Sequence, residues 1–403
     1  MRGRLRRVVA VAGALVVGSG LITAVSHGGS ASAATDTSPI KIGVICSCTG
    51  PLAASISVGP PAYQAWASTV NAQGGINGHK IQVIVKDDAT NPGTSLQEAE
   101  SLVGQSHVIA LVDGSDVDAT WATYAQQNKV PVIGMASSSE PFFTNSDFFA
   151  EGQTEDQLFA SIVGAAKKTS AKSLALFYCA EAATCQEGVA PLKTTAKALG
   201  VPLVYNASIS ASSPNYTAQC LAAKQSGATA LFIADGVTVI QTVASDCSKQ
   251  GYTPAIVIDG ESLAPAFKTA PGLTKNTIFE NLNMPFFAST PGITAMNTAF
   301  KKYQPALLTS KNFNEIAVQG WVSGLLFAAA AKAGNLGANG PPTSAQLLTG
   351  LYTMKGATLN GMAPPLTFVA GQPNPVDCWL SYAVLKGGKF SSPYGLKSIC
   401  AKS

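Results

Sequence analysis

Histidine is nearly absent from this chain, which has three in 403 residues, and only His79 and His107 lie beyond the N-terminal 33 residues. His79 lies in a glycine-rich turn and His107 begins an apolar strand, so we interpret both as surface or strand-edge residues. The sequence also lacks the HExxH zinc motif, the GxxxxGK[ST] phosphate loop, the GxGxxG dinucleotide turn and the GxSxG nucleophile elbow. We therefore predict that the chain is not an enzyme and that it holds neither a metal nor a cofactor.

Charge is also sparse, with 12% of residues charged. The formal net charge of +4 comes from residues 1–33, which carry four arginines and no acid and leave 22 basic and 22 acidic residues behind them. A neutral chain lacks the basic surface that binds nucleic acid, so we expect no nucleic-acid partner.

The first 33 residues have the layout of a secretory signal peptide. Basic residues 2–7 precede an apolar run over 8–25, and Ala31-Ser32-Ala33 forms a small-residue cleavage site. The alternative is a retained membrane anchor, because the run is close to spanning length. No cysteine follows the leader to accept a lipid, and we identify no later run long and apolar enough to span. The sequence predicts a secreted or extracytoplasmic protein of the periplasm or cell envelope.

All eight cysteines lie beyond this leader. An even number in an exported chain favours disulfides over thiolate metal sites. Short separations favour Cys179–Cys185, Cys220–Cys247 and Cys378–Cys400, although sequence alone cannot select one connectivity. Cys46 and Cys48 remain as a pair, and their spacing is awkward for a bridge unless the backbone bends.

Short β-branched runs alternate with longer amphipathic runs, and the pattern restarts after Glu151. Strand, helix, strand repeated in this way predicts parallel sheets wrapped by helices. The fold class is therefore α/β, with two doubly wound parallel-sheet lobes. The predicted strands are 40–45, 80–86, 108–112 and 130–133 in the first unit and 174–177, 201–205, 230–233 and 256–258 in the second.

Hydroxyl side chains follow two strands of the first unit. Ser137, Ser138 and Ser139 come directly after the strand at 130–133, and Ser115 stands where it could cap a helix beginning near Asp116. Ligands of open α/β sheets bind beyond the carboxyl ends of the strands, near helix N-termini. The serines are therefore candidates for contact with a ligand in a cleft.

Three phrases in this order resemble one family of receptors. They are IKIGVICSCTGPLA, AYQAWASTVNAQGGINGHKIQVIVKDDATNPGTSLQEAESLV and KVPVIGMASSSEP, and the resemblance spans roughly residues 40–382. The chain is similar to the leucine/isoleucine/valine-binding branch of type I periplasmic solute receptors, which deliver ligands to ABC importers. The resemblance implies a small-molecule ligand, a permease in the membrane as partner, and a monomer.

The resemblance also implies a domain layout and a set of site residues. Lobe 1 takes residues 38–154 and 284–355, lobe 2 takes 155–283 and 356–403, and a three-strand hinge joins them. In the family a serine at a helix start and a small-residue segment hold the ligand carboxylate, which here are Ser115 and Ala136-Ser137-Ser138. A carboxylate from the second lobe, here Glu261, holds the amino group.

This sequence departs from the family where aromatic residues usually grip the ligand side chain. Asp235, at the end of the strand at 230–233, could replace some of the missing contact. Each site residue also has a structural alternative, since Ser115 could serve only as a helix cap, the serines as a polar loop, and Glu261 as a surface acid or cap.

The sequence thus predicts a receptor for a small polar ligand, an amino acid or a related amide or carboxylate, captured by hinge closure. One alternative keeps the fold but makes the protein a ligand sensor that regulates a membrane receptor or kinase. Another is a hydrolase of unfamiliar type using Ser138, against which the scarcity of histidine argues.

Overall fold

We describe a computed structural model of the chain over residues 36–181, 183–275, 277–374 and 378–400. The predicted signal peptide, residues 1–33, lies outside the described residues.

The first lobe is built on a five-stranded parallel sheet in the order β2-β1-β3-β4-β5. Helices cover its faces, so its central strands are apolar and buried along nearly their whole length. The elements are β1 (Ile40–Cys46), α1 (Ala53–Ile56), α2 (Gly59–Ala72), β2 (Ile81–Asp87), α3 (Pro92–Glu100), β3 (Ala110–Gly114), α4 (Ala119–Gln127), β4 (Val132–Met135), α5 (Glu140–Thr144) and β5 (Phe148–Phe149).

The second lobe follows the same strand-helix alternation. Its elements are α6 (Glu155–Lys168), β6 (Leu174–Cys179), α7 (Ala183–Glu187), α8 (Val189–Ala198), β7 (Leu203–Ile209), α9 (Thr217–Gln225), β8 (Ala230–Ala234), α10 (Val237–Lys249), β9 (Ala255–Ile258) and β10 (Thr277–Asn281). Strands β7, β6, β8, β9 and β10 run parallel. A 3-10 turn at Gly260–Ser262 follows β9.

The chain then returns to the first lobe before ending in the second. Helices α11 (Pro291–Tyr303), α12 (Glu315–Ala333) and α13 (Ser344–Thr353) come first, and α12 packs against α2 and β4 of the first lobe. They are followed by β11 (Cys378–Trp379), β12 (Ser381–Lys386), β13 (Lys389–Ser391) and β14 (Ile399–Cys400). Strand β12 joins β10 antiparallel, and β13 extends the second sheet to seven strands.

Residues 150–154 and 282–290 connect the two sheets, and residues 354–374 follow α13 on the way from the first lobe to the last strands of the second. Two α/β lobes with parallel sheets are the predicted fold class, which is confirmed. The lobe boundaries implied by the resemblance stay a prediction.

The expectation that no run after the leader is long and apolar enough to span a membrane needs correction, because of helix α12. Among the described residues it is the one helix long and apolar enough to cross a membrane by length and composition. However, 72% of its apolar window is buried inside the protein. Its apolar character is that of a core helix, because it packs between α2 and α13.

Two further expectations need correction. Helix α4 begins at Ala119 with Asp118 as its N-cap residue, so Ser115 does not cap it. His79 is fully buried rather than at the surface, and its ring nitrogens lie 2.6 Å from the Ser38 carbonyl oxygen and 3.0 Å from that of Gly337. His107 is exposed, as predicted.

The three disulfides predicted from short separations are confirmed: Cys179–Cys185, Cys220–Cys247 and Cys378–Cys400. Cys46 and Cys48 also form a bridge, with their Cα atoms 5.1 Å apart. Strand β1 ends at Cys46, and the next amide, Ser47 N, donates to the Gly114 carbonyl oxygen at 2.8 Å. The bridge is accommodated because Cys48 lies beyond the end of the strand.

Candidate functional site

A cavity of about 220 Å³ lies between the two lobes. The first lobe contributes residues after β1, β3 and β4, and the second lobe contributes residues after β6, β8 and β9. These are the carboxyl ends of parallel strands, where loops and helix starts leave room for a ligand. The polar lining residues are Ser55, Asp116, Ser137, Ser138, Gln153, Asp235, Asp259, Glu261, Ser262 and Glu280.

Residues 136–139, which we call the serine segment, follow β4. Ser137 is 4% exposed and its hydroxyl donates to Glu151 Oε2 at 2.9 Å. Ser323 of α12 donates to the other oxygen of Glu151. Burial raises the pKa of Glu151 to about 7, and the two hydroxyls partly oppose this shift. Ser137 therefore links the cavity wall by a hydrogen bond to Glu151, a buried acid in the segment that connects the lobes.

Ser138 makes the contact across the cleft. Its hydroxyl donates to Glu261 Oε2 at 3.0 Å, and Gln319 Nε2 of α12 lies 3.5 Å from the other carboxylate oxygen. Burial and the neighbouring Asp259 raise the pKa of Glu261 to about 8. The structure thus brings Ser137, Ser138 and Glu261 to one cavity, although their role in ligand binding stays a prediction.

Ser115 lies beside this cavity but does not line it. It is 1% exposed, its hydroxyl donates to Asp88, and Ser95 Oγ lies 3.2 Å away. Ser47 Oγ donates to the other Asp88 oxygen at 2.9 Å. Asp88 thereby joins the loops after β1, β2 and β3, and Ser115 is part of that internal network.

Ala136 is also behind the cavity wall. It is 6% exposed and its amide donates to the Asp113 carbonyl oxygen at 3.0 Å, which holds the serine segment against β3. Neither Ala136 nor Ser115 has a side chain at the cavity surface, so any ligand contact by them stays a prediction.

Asp235 does line the cavity, at the end of β8. It is 9% exposed, one oxygen accepts from the Gly236 amide at 2.6 Å, and the other has no partner among the described residues. Burial raises the pKa of Asp235 to about 7. This acid is positioned to accept hydrogen bonds from a ligand.

Three further acids at the cavity were not predicted from the sequence: Asp116, Asp259 and Glu280. Burial raises the pKa of Asp116 to about 7, that of Asp259 to about 6 and that of Glu280 to about 8. Each follows or ends a strand, which is the signal that could have identified them. Strand β10, which carries Glu280, was not predicted.

Two α/β lobes with a cavity between them, on which polar side chains converge from both, are the architecture of a bilobal ligand-binding protein. Residues 39–389 match the periplasmic binding protein family, and the chain belongs to it. A search of curated proteins gives no match.

Solved structures share this fold. A branched-chain amino acid ABC transporter protein from Thermus thermophilus with bound valine superposes with a TM-score of 0.79 at 14% identity, covering 90% of this chain and 97% of that one. A fatty acid ABC transporter substrate-binding protein from Thermomonospora curvata gives 0.75 at 18% identity, covering 91% and 93%. A branched-chain amino acid binding protein from Streptococcus pneumoniae in complex with isoleucine gives 0.71 at 19% identity, covering 90% and 99%. At these identities the likeness shows the fold alone.

Proposed function

We propose that the chain is an extracytoplasmic receptor that captures a small ligand between its lobes and delivers it to an ABC importer. Family membership supports binding and an extracytoplasmic location, and several structurally similar proteins are named as ABC transporter components. The ligand expected from the sequence is an amino acid or a related amide or carboxylate. The acids of the cavity are suited to bind the amino group of such a ligand.

The observation that carries this proposal is the set of hydrogen bonds across the cleft. Ser138 of the first lobe donates to Glu261 of the second, and the Val237 amide at the start of α10 lies 3.3 Å from Ser55 Oγ. Both contacts border the cavity. A ligand that touches both lobes binds the closed form better and shifts the hinge equilibrium toward it.

A thermal-shift screen tests capture directly. The purified protein, refolded from denaturant to remove co-purified ligand, is tested against amino acids, amides, amines, small carboxylates and fatty acids. A binding ligand should raise the midpoint of unfolding because it stabilises only the folded state. Absence of any stabilising compound, together with no change in radius of gyration by X-ray scattering, would contradict capture by closure.

Glu261→Gln tests the predicted amino-group contact. We expect this variant to bind an amine-containing hit at least about tenfold more weakly, or about 1.4 kcal/mol, because a neutral amide replaces a charge-assisted acceptor. Glu100→Gln, at an exposed position on α3, is the matched control. Equal affinity of the Glu261 variant and the control would remove Glu261 from the site.

Uptake measurements separate import from sensing. Cells lacking the chain should accumulate the radiolabelled hit more slowly than wild-type cells if the protein serves an importer. Undiminished uptake would favour the ligand sensor considered from the sequence.

A further inference from the structure

The charges around the cavity are of one sign. Five acids line it, Asp116, Asp235, Asp259, Glu261 and Glu280, and no lysine, arginine or histidine is among the lining residues. The ion pairs found in the described part of the chain, Lys86–Glu98 and Lys249–Asp246, use none of these acids. Arginine occurs only within residues 2–7, so none is among the described residues.

Several buried carboxyl and amide oxygens at the cavity have no hydrogen-bond donor among the described residues, although the carboxyl groups of Asp235 and Glu280 make other hydrogen bonds. Glu280 is 2% exposed, Asp235 9% and Gln153 6%, and all three line the cavity. Glu280 Oε1, Asp235 Oδ2 and Gln153 Oε1 have no hydrogen-bond partner among the described residues. Buried oxygens are normally satisfied, so the complementary ligand must supply hydrogen-bond donors.

The groups predicted to hold a ligand carboxylate already donate to protein acids. The hydroxyls of Ser115, Ser137 and Ser138 donate to Asp88, Glu151 and Glu261, respectively. A hydroxyl has one hydrogen to donate, so none of these three is free for an anion.

Two backbone amides at or beside the cavity are engaged as well. The Val237 amide donates to Ser55 Oγ at 3.3 Å, and the Asp116 amide donates to Ser47 Oγ at 3.1 Å. A ligand carboxylate in this cavity would therefore face acids, with these donors already engaged. Those acids that are ionised repel such a carboxylate, because like charges at close range in a poorly solvated site interact strongly.

The cavity also has an apolar end inside the second lobe. Helix α6 contributes Leu158, Phe159 and Ile162, and Leu192 of α8 and Phe232 of β8 complete this wall. These side chains favour a ligand with a hydrocarbon body, because burial of apolar surface stabilises the complex.

We propose that the captured ligand is an organic amine, cationic at its head, apolar in its body and without a carboxylate. The inference rests on the proposed function, since it takes the cavity between the lobes as the capture site. A metal ion is a poorer occupant, because the described residues contain no group of three or more histidine, cysteine, aspartate or glutamate side chains placed to hold one. An ammonium group supplies three donors to the unpartnered oxygens.

The protonation of the acids supports the same conclusion. Burial raises the pKa of Asp235 to about 7 and that of Glu280 to about 8, and the charges of neighbouring acids add to both shifts. An ammonium group beside these carboxyls stabilises their charged forms, so amine binding near pH 7 should release protons to the solvent.

Matched pairs of amines and amino acids test the inference by isothermal titration calorimetry. Each pair differs only in the carboxylate: 3-methylbutylamine with leucine, 2-phenylethylamine with phenylalanine, and cadaverine with lysine. We expect at least one amine to bind the purified protein with a Kd at least tenfold lower than its amino acid. Titrations in buffers of different ionisation enthalpy should also show proton release.

The acids themselves are tested with isosteric variants. Glu280→Gln and Asp235→Asn should each raise the Kd of the bound amine at least tenfold, whereas Glu100→Gln should leave it unchanged. Wild-type affinity for the amine in both acid variants would overturn the inference.

The outcomes separate this inference from the proposed function. An amino acid that binds as tightly as its amine, or more tightly, would overturn the inference and leave the receptor function standing. Failure of every member of every pair would also overturn it. The wider thermal-shift screen then decides independently whether the cavity captures another class of ligand.

Discussion

Gly134 and Glu151 determine the approach of the serine segment to the connection between the lobes. A Cβ atom built at Gly134 would lie 2.6 Å from Glu151 Oε1, so a larger residue cannot share the space with the buried carboxyl. Glu151 is fully buried and is held by hydroxyls of Ser137 and Ser323. The position of the serine segment therefore depends on a glycine that does not itself line the cavity.

We expect Gly134→Ala to destabilise the protein by about 1–3 kcal/mol, because overpacking of a close-packed site forces neighbouring groups to move. Urea unfolding followed by circular dichroism measures this change. Gly104→Ala is the control, since its added Cβ would lie 3.7 Å from the Tyr124 hydroxyl, an ordinary contact. Equal stability of the two variants would contradict the steric role of Gly134.

At the scale of elements, the disulfides connect very different lengths of chain. Cys220–Cys247 joins α9 to α10 and spans 27 residues, whereas Cys46–Cys48 spans two. In the chain-entropy model a disulfide stabilises the folded protein by restricting the unfolded chain, and more so for a longer loop.

Replacement of both Cys220 and Cys247 by alanine should therefore lower the free energy of unfolding by about 3.5 kcal/mol. The same double replacement at Cys46 and Cys48 should cost about a third as much in this model. Chemical denaturation of the two variants, each compared with wild type, measures the difference. A larger loss at the short bridge would show that local geometry, not chain entropy, dominates.

The sequence predicted some of the elements of the two lobes and missed others that line the cavity. Strands β1 and β8, predicted at 40–45 and 230–233, each extend only one residue further than predicted. Strand β10 and helix α6 were not predicted, although they carry Glu280 and the apolar wall of the cavity. Strand β10 is fully buried yet contains two polar residues, Glu280 and Asn281, and this weakens its apolar pattern.

At the scale of the whole molecule, buried acids couple stability to pH. Burial raises the pKa of Glu280 to about 8 and that of Glu151 to about 7, whereas an unfolded glutamate titrates near 4. Between these pH values the folded chain holds protons that the unfolded chain has lost. Raising the pH therefore favours unfolding, and this contribution to stability, complete below pH 4, is lost as pH rises through the folded pKa.

The Glu280→Gln variant lacks one of the groups that hold a proton in the folded chain and lose it in the unfolded chain. We expect the variant to gain stability relative to wild type as pH rises from 5 to 8, by up to about 1.4 kcal/mol per pH unit. Asp259, Glu261 and Glu315 act on the same group through their charges, so the slope can be shared among them. Guanidinium unfolding at several pH values measures it, with Glu100→Gln as control. A difference that does not vary with pH would show that Glu280 does not titrate in this range.

The sequence by itself determined the α/β class and most strand positions, and it favoured three of the disulfide pairs. These follow from local periodicity, turn residues and short separations along the chain. Only the tertiary structure decided which polar groups share a space. Ser138 and Glu261 are 123 residues apart and meet across the cleft, whereas Ser115 turns to Asp88 and away from it. Such partnerships depend on how strands from two lobes end beside each other, and sequence periodicity carries no information about that distance.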